Sequence, residues 1–267
     1  MEYAEDMVTT LELERLDRDL FRGTNTVMAK SRASLYGGQV AGQALRAAGL
    51  TVPDDRVPHS LHGYFLRPGQ IDKPVVLHVD RDRDGRSFSA RHVSAIQDGE
   101  VIFSMLASFH GVDDVTIFDD AGDIDAPPPE KCPPFSADPL VEIRQVTLTE
   151  VVDGRQMYSD SLWVRVARGL PADPLVHACA LTYISDMGTG FGRMRLEGVG
   201  NGGPSIDHAL WFHEPIAADD WVLLEQWPWK AVRGRGLYRG ALRDRSGRLG
   251  GTLAQEHLFR RLPDVIA

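Results

Sequence analysis

Two stretches of this chain carry the same residues in the same order about 147 positions apart, and nothing else in the sequence constrains the fold as strongly. Phe65 and Phe212 are 147 apart, as are Pro68 and Pro215, setting Phe-Leu-Arg-Pro against Phe-His-Glu-Pro. Arg91 matches Arg239 and Gly99 matches Gly247, both at 148. The offset returns to 147 for Leu106-Ala107 against Leu253-Ala254 and for His110 against His257. One residue inserted and later removed accounts for the drift. A single match is cheap, but six in one order at a nearly constant offset mark a duplication. The 267 residues therefore divide into two small units sharing an interface.

Between them lies 113–138, with acids at Asp113, Asp114, Asp119, Asp120, Asp123 and Asp125, then Pro127-Pro128-Pro129 and Pro133-Pro134. Prolines remove backbone donors and the stretch lacks a periodic apolar pattern, so it reads as a linker between units 1–112 and 139–267. In the first unit Tyr36–Leu50 predicts a helix with an apolar stripe of Val40, Ala41, Ala44, Leu45 and Ala48. Gly37, Gly38 and Gly42 lie within it. Glycine in a helix costs roughly 1 kcal/mol against alanine, so three imply that another backbone approaches closely. Strand patterns follow at His59–Leu66, Pro74–Asp82, Ser87–Gln97 and Val101–His110, with Asp84-Gly85 and Asp98-Gly99 as hairpin turns. The second unit repeats the order: an apolar helix at Leu175–Met187, then strands Ser205–His213, Trp221–Trp229, Gly236–Asp244 and Leu249–Arg260, with Ser246-Gly247 at the last turn. A helix followed by an antiparallel meander, twice, is an α+β pattern, each helix expected across the concave face of its sheet.

The function classes narrow quickly. The formal charge is −9, with 29 basic and 38 acidic residues, which argues against a nucleic-acid partner. No run approaches the roughly 20 apolar residues that span a bilayer, so no membrane partner is expected. Met1–Asp6 is acidic and leads into no signal core, and Asp264–Ala267 matches no peroxisomal or retention address. Cys132 and Cys179, outside any CxxC spacing, suit a reduced compartment. A cytoplasmic protein is the expectation.

Motifs of other enzyme classes fail on context. Gly203-Pro204-Ser205-Ile206-Asp207 and Gly85-Arg86-Ser87-Phe88-Ser89 lack the final glycine of a nucleophile elbow, and neither joins a strand to a helix. Gly188-Thr189-Gly190-Phe191-Gly192 follows a helix where a dinucleotide fingerprint would open one. His59 with His62, and His208 with His213, sit at odd spacings on strands, and no HExxH or Cys/His cluster occurs, so neither a metal nor a cofactor is expected.

The asymmetry between the halves is more telling. Asp186 is the only acid in Leu175–Met187. It is either exposed at the helix end, where the dipole disfavours it, or buried and paired. Gln255 interrupts the last strand where the repeat places Ser108, and it could equally face solvent. Ser205 opens a strand where the first half has Pro58, and it could be an ordinary turn residue. Asp186 falls at or near Gln39 under the repeat. Together the three supply a carboxylate, a hydroxyl and an amide from one half only, the pattern of an active unit beside a degenerate one.

Tyr36-Gly37-Gly38-Gln39-Val40-Ala41-Gly42-Gln43-Ala44, His59-Ser60-Leu61-His62-Gly63-Tyr64-Phe65-Leu66-Arg67-Pro68-Gly69 and Asp84-Gly85-Arg86-Ser87-Phe88-Ser89-Ala90-Arg91 resemble the bacterial acyl-CoA thioesterase II family. So do Ser185-Asp186, Ile206-Asp207-His208-Ala209-Leu210-Trp211-Phe212-His213 and Arg235-Gly236-Leu237-Tyr238-Arg239-Gly240. The resemblance runs from about Leu11 to Arg260, departing mainly in the linker and in the loop Gly188–Gly203. It implies a double hotdog fold, an acyl-CoA substrate, a homo-oligomer, and a catalytic set of Asp186, Ser205 and Gln255. The family's position before the Ile-Asp-His string takes Thr or Ser.

Chemistry fits those roles. Thioester hydrolysis needs a water aimed at the carbonyl and a base for its proton. A carboxylate beside an apolar acyl channel has its pKa raised by burial, which suits a general base. A hydroxyl and an amide would orient the water, and backbone amides would stabilise the oxyanion. A thiolate leaves readily, so no covalent intermediate is required. Arg233, Arg235, Arg239, Arg243, Arg245 and Arg248 could meet the phosphates of CoA or form a solvated strand face. Two other readings stay open: a hotdog hydratase or dehydratase on acyl thioesters, and a non-catalytic acyl-CoA binding protein.

Overall fold

The computed structural model describes residues 4–26, 34–111, 118, 122–152, 155–188, 190–191 and 203–259. Asp113, Asp114, Asp119 and Asp120 of the linker, residues 192–202 of the loop after the second helix, and both extreme termini lie outside the described residues.

Three elements that the hydrophobic pattern did not announce open the chain: a short helix α1 (Met7–Leu11) and strands β1 (Leu13–Asp17) and β2 (Leu20–Gly23). Helix α2 (Gly37–Gly49) follows, with Tyr36 as N-cap and Leu50 as C-cap. Strands β3 (Arg56–Phe65), β4 (Val75–Asp84), β5 (Phe88–Gln97) and β6 (Glu100–Gly111) complete the first half. The second half holds β7 (Pro134–Ala137), β8 (Val141–Val152), β9 (Arg155–Val166), α3 (Pro174–Ser185), β10 (Asp207–Phe212), β11 (Val222–Val232), β12 (Arg235–Arg243) and β13 (Leu249–Leu258). The expected linker is thus only partly irregular: it contains a 3-10 turn at Pro129–Lys131 and the strand β7. Proline is tolerated there because β7 lies at the sheet edge, pairing only with β8. Asp98-Gly99 takes two left-handed conformations, as a tight hairpin requires, whereas Asp84-Gly85 belongs to a longer turn closed by Gly85 N–H donating to the Phe88 carbonyl.

All the strands join one antiparallel sheet in the order β1-β2-β4-β5-β6-β3-β10-β13-β12-β11-β9-β8-β7. Read outward from the β3–β10 seam, the two sides mirror each other strand for strand, with β7 the sole extra. The seam pairs His62 with Ala209, residues that are themselves 147 apart. An antiparallel pair has its local two-fold axes between directly opposed residues, so the pseudo-two-fold passes through this pair.

That axis corrects the residue matching in two strands. His62 pairs with Leu106, and Ala209 pairs with Ala254, so Leu106 corresponds to Ala254. Gln255 therefore corresponds to Ala107, not Ser108. Across the next ladder Arg91 faces Ala107 and Tyr238 faces Gln255, so Arg91 corresponds to Tyr238, not Arg239. The burial agrees, since Arg91 and Tyr238 are both fully buried. A shift of one residue flips a strand's faces, and identity matching without a ladder cannot see it. Pro58 and Ser205 remain equivalent: Pro58 pairs with Phe109, and Ser205 bridges His257.

The glycines of α2 do admit a second backbone, that of α3. A β-carbon on Gly38 would lie 2.6 Å from the Tyr183 carbonyl oxygen, and one on Gly42 would lie 3.0 Å from the Cys179 carbonyl. The helices run antiparallel, the start of α2 beside the end of α3. The alanine stripe of α2 instead packs with strand residues such as Leu61, Leu77, Val93 and Phe103 in one core. Helix α3 is apolar around its circumference and buried accordingly. Its N-terminus is set by Asp173, which accepts from Leu175 N–H at 2.9 Å, and by Pro174 at the first helical position. No helix among the described residues is long and apolar enough to cross a membrane.

Candidate active site

Asp186 is the C-cap of α3 and is buried, 8% exposed. The exposed alternative for this acid is thereby excluded. Its counterpart by position is the C-cap of α2, Leu50, and not Gln39. The chain leaves the helix through Gly188, whose φ of +73° favours glycine. Buried Gln226 donates from Nε2 to the Met187 carbonyl at 2.9 Å and fastens this corner. Tyr36 donates its hydroxyl to the Tyr183 carbonyl at 2.9 Å, satisfying one of the unpaired carbonyls at the end of α3. The two rings meet edge to face at 4.8 Å.

Gln255 is also buried, on the inward face of β13. Its Nε2 donates to Asp186 Oδ1 at 2.8 Å and to Ser205 Oγ. Ser205 is held where Ile206 N–H donates to the Glu256 carbonyl and Leu258 N–H to the Pro204 carbonyl. The three residues singled out by sequence thus form one hydrogen-bonded group, supplied by the end of α3, the approach to β10, and β13.

A cavity of about 770 Å³ opens on this group. Asp186 and Ser205 line it, together with apolar Leu35, Val40, Phe65, Ile102, Phe103, Ile206 and Leu258. Two thirds of the lining residues therefore come from the first unit, the half without the catalytic set. The start of α2 is part of it: Tyr36 and Gly37 line the cavity, and a β-carbon on Gly37 would stand 2.8 Å from Asp186 Oδ2. Tyr36 makes no side-chain cap for α2, so the first-turn N–H groups are not satisfied by that route.

Sequence reasoning weighed His208 only as a metal ligand. It is buried and bonded to Gln255, with Nδ1 2.6 Å from Gln255 Oε1. The signal was the Ile-Asp-His string itself, whose aspartate turns elsewhere: Asp207 Oδ1 accepts from Glu256 N–H at 2.7 Å. Burial pushes the Asp207 carboxyl up from its ordinary value. In the first half the position facing Ala107 is taken by Arg91, fully buried and donating to Asp84 at 2.6 Å and to Thr51 Oγ1 at 2.8 Å. The first half has Ala107 where the second has the Gln255 amide, so the group is not repeated there.

The arginine cluster of β12 and its turn is largely neutralised. Arg235 pairs with Glu256, Arg243 with Glu225, Arg245 with Glu130, and Arg248 with Asp244.

Comparison with known proteins gives a consistent result. The family model described as acyl-CoA thioesterase N-terminal domain matches residues 28–110, and the one described as acyl-CoA thioesterase C-terminal domain matches 113–259. Acyl-coenzyme A thioesterase 8 of Mus musculus is 38% identical over 97% of this chain and 90% of its own length. Acyl-CoA thioesterase 2 of Haemophilus influenzae is 30% identical over 96% of this chain and 97% of its own. Among solved structures, an acyl-CoA thioesterase II from Mycobacterium marinum superposes with a TM-score of 0.83 at 37% identity, covering 97% of this chain and 99% of that one. A hot dog fold protein from Alicyclobacillus acidocaldarius superposes at 0.78 with 21% identity, covering 96% and 98%. The fold is a hotdog fold, and the chain belongs to the acyl-CoA thioesterase II family of thioester hydrolases.

Proposed function

We propose that the protein hydrolyses fatty acyl-CoA to free fatty acid and CoA through a water that Asp186 deprotonates and that Ser205 and Gln255 orient. The observation that carries this reading is the hydrogen-bonded group of Asp186, Gln255 and Ser205 at the wall of an apolar cavity. The water oxygen bonds to the thioester carbonyl carbon as its proton passes to Asp186. The tetrahedral intermediate then collapses, the carbon–sulfur bond breaks, and the proton returns to the departing thiolate. Base catalysis of this kind contributes about 10²–10⁴-fold. N–H groups at the start of α2, where Tyr36 and Gly37 line the cavity, stabilise the oxyanion, an electrostatic contribution made before the substrate arrives.

On this reading the chain is a double hotdog of two tandem units, 1–112 and 139–267, joined by 113–138. Helices α2 and α3 are its central helices, and the second unit carries the three catalytic side chains. Support comes from the mirrored strand order and from the antiparallel contact of the helices. The two cysteines, both unpaired and buried, accord with a cytoplasmic protein. Exposed Tyr64 and Leu106 beside the seam accord with a homo-oligomer, whose order sedimentation equilibrium would give.

The test is a substrate panel. Release of free thiol from acyl-CoA, with catalytic turnover, is the expected result. Water addition to an enoyl-CoA without thiol release, or tight binding of acyl-CoA with no turnover, would overturn the proposal.

A further inference from the structure

We propose that His208 is a positioning residue that fixes which way the Gln255 amide faces throughout turnover. The inference rests on the reading that Gln255 helps to place the attacking water, here through the Asp186 and Ser205 oxygens that it holds. His208 lies on β10, 1% exposed, and its ring is held at both nitrogens: Nδ1 is 2.6 Å from Gln255 Oε1 and Nε2 is 2.8 Å from Ser185 Oγ. Among the described residues the cavity wall includes neither His208 nor Ser185, and the ring meets the catalytic group through Gln255, which holds the wall residues Asp186 and Ser205.

A primary amide is nearly symmetric in shape, and only its partners decide between its two faces. In the observed orientation Nε2 uses its two hydrogens on Asp186 Oδ1 and Ser205 Oγ, and Oε1 accepts from the imidazole Nδ1–H. Flipped, Oε1 would confront the Asp186 carboxylate, acceptor against acceptor. That repulsion holds the amide only while Asp186 is ionised. Once Asp186 has taken the proton of the water it carries an O–H, which an amide oxygen satisfies equally well. Asp186 therefore loses its hold on the amide at the moment the tetrahedral intermediate exists. The Nδ1–H of His208 is not consumed in the reaction and keeps Oε1 turned away at that stage.

Ser185 holds the far side of the ring, its Oγ 2.8 Å from Nε2. The Ser185 hydroxyl donates to the Thr182 carbonyl at 2.9 Å, which anchors this contact to the last turn of α3. Ser185 and Asp186 are adjacent in sequence, so the end of α3 supplies both the base and the group that sets the ring.

Asparagine and glutamine at position 208 separate the two ring nitrogens. The amide nitrogen of His208→Asn lies near the place of Nδ1 and keeps the donor to Gln255. That of His208→Gln reaches the place of Nε2 and loses it. In the acyl-CoA thiol-release assay on the full chain, His208→Asn is expected within about threefold of wild-type kcat, whereas His208→Gln loses about 10–100-fold with KM within about twofold. Because the effect passes through Gln255, adding His208→Gln to Gln255→Ala should lower kcat no further. Equal losses in both variants, or additive losses in the double variant, overturn the proposal. If His208→Gln does not fold, Ser185→Ala takes its place, with a kcat loss expected that vanishes in the Gln255→Ala background and an additive loss decisive against it. Asp186→Asn assayed alongside keeps the two questions apart. Full activity in that variant rejects the site, whereas its inactivity together with additivity at His208 rejects only the present inference.

Discussion

Gly38→Ala probes the helix contact on which the site is built. A β-carbon at Gly38 would stand 2.6 Å from the Tyr183 carbonyl oxygen, whereas ordinary van der Waals contact begins at 3.4 Å. The obstacle is backbone and cannot rotate away, and the Tyr36 ring closes the other side at 2.7 Å. Alanine is favoured over glycine inside a helix by about 1 kcal/mol. Overfilling a packed core costs about 1–3 kcal/mol. Because relief requires α2 and α3 to separate, the clash takes the upper part of that range, about 2–3 kcal/mol, and the expected net loss is about 1–2 kcal/mol. For a chain of this size that is a fall in Tm of roughly 2–8 °C, read by thermal denaturation. Gly42→Ala is the control: its β-carbon would sit 3.0 Å from the Cys179 carbonyl, and its net change should stay within about 1 kcal/mol. Activity should fall in Gly38→Ala as well, because the displaced end of α2 carries Gly37 against Asp186. A Gly38→Ala protein as stable as wild type or more so would refute the close approach of these backbones.

Other substitutions read other parts of the account. Ser205→Ala should lower kcat about tenfold with KM nearly unchanged, as expected for a group that orients a water, while Ser205→Thr keeps the hydroxyl and most of the rate; steady-state kinetics on both would show it. His257 is buried among Phe191, Tyr238 and Phe259 with neither ring nitrogen hydrogen-bonded, and burial lowers its pKa below the ordinary histidine value. A lowered folded-state pKa means that its contribution to stability is present above the unfolded value and lost as pH falls. His257→Phe should therefore flatten the decline in Tm between about pH 7 and 5, and an unchanged slope would count against it. Asp207 has the opposite sign, because its raised pKa means stability lost as pH rises through the folded value; Asp207→Asn should gain on wild type in Tm as the buffer moves from acid to neutral.

Much of this was legible in the sequence, and the omissions have physical causes. The duplication, both long helices and eight of the strands follow from hydrophobic period and turn chemistry, which are local. β7 was missed because prolines dominate the local pattern around it, and an edge position tolerates them. The residue-level matching failed by one position at Arg91 and Gln255 because faces are fixed by ladders, and ladders are not local. Asp186, Ser205 and Gln255 stood out because each is chemically odd where it lies. His208 did not, since its role depends on a neighbour 47 positions away and on the serine preceding Asp186. The first unit's share of the cavity, from Tyr36 and Gly37 to Phe103, likewise appears only when the two units meet at their seam.

The most direct test of the central claim is the acyl-CoA hydrolysis rate of Asp186→Asn beside wild type, with the variant shown to be folded. Asparagine preserves the size of the side chain and an acceptor for the Gln255 amide but cannot take a proton from water. A kcat about 10²–10⁴-fold below wild type is predicted, with binding of acyl-CoA retained. Hydrolysis at the wild-type rate by Asp186→Asn would contradict the assignment of this carboxylate as the base.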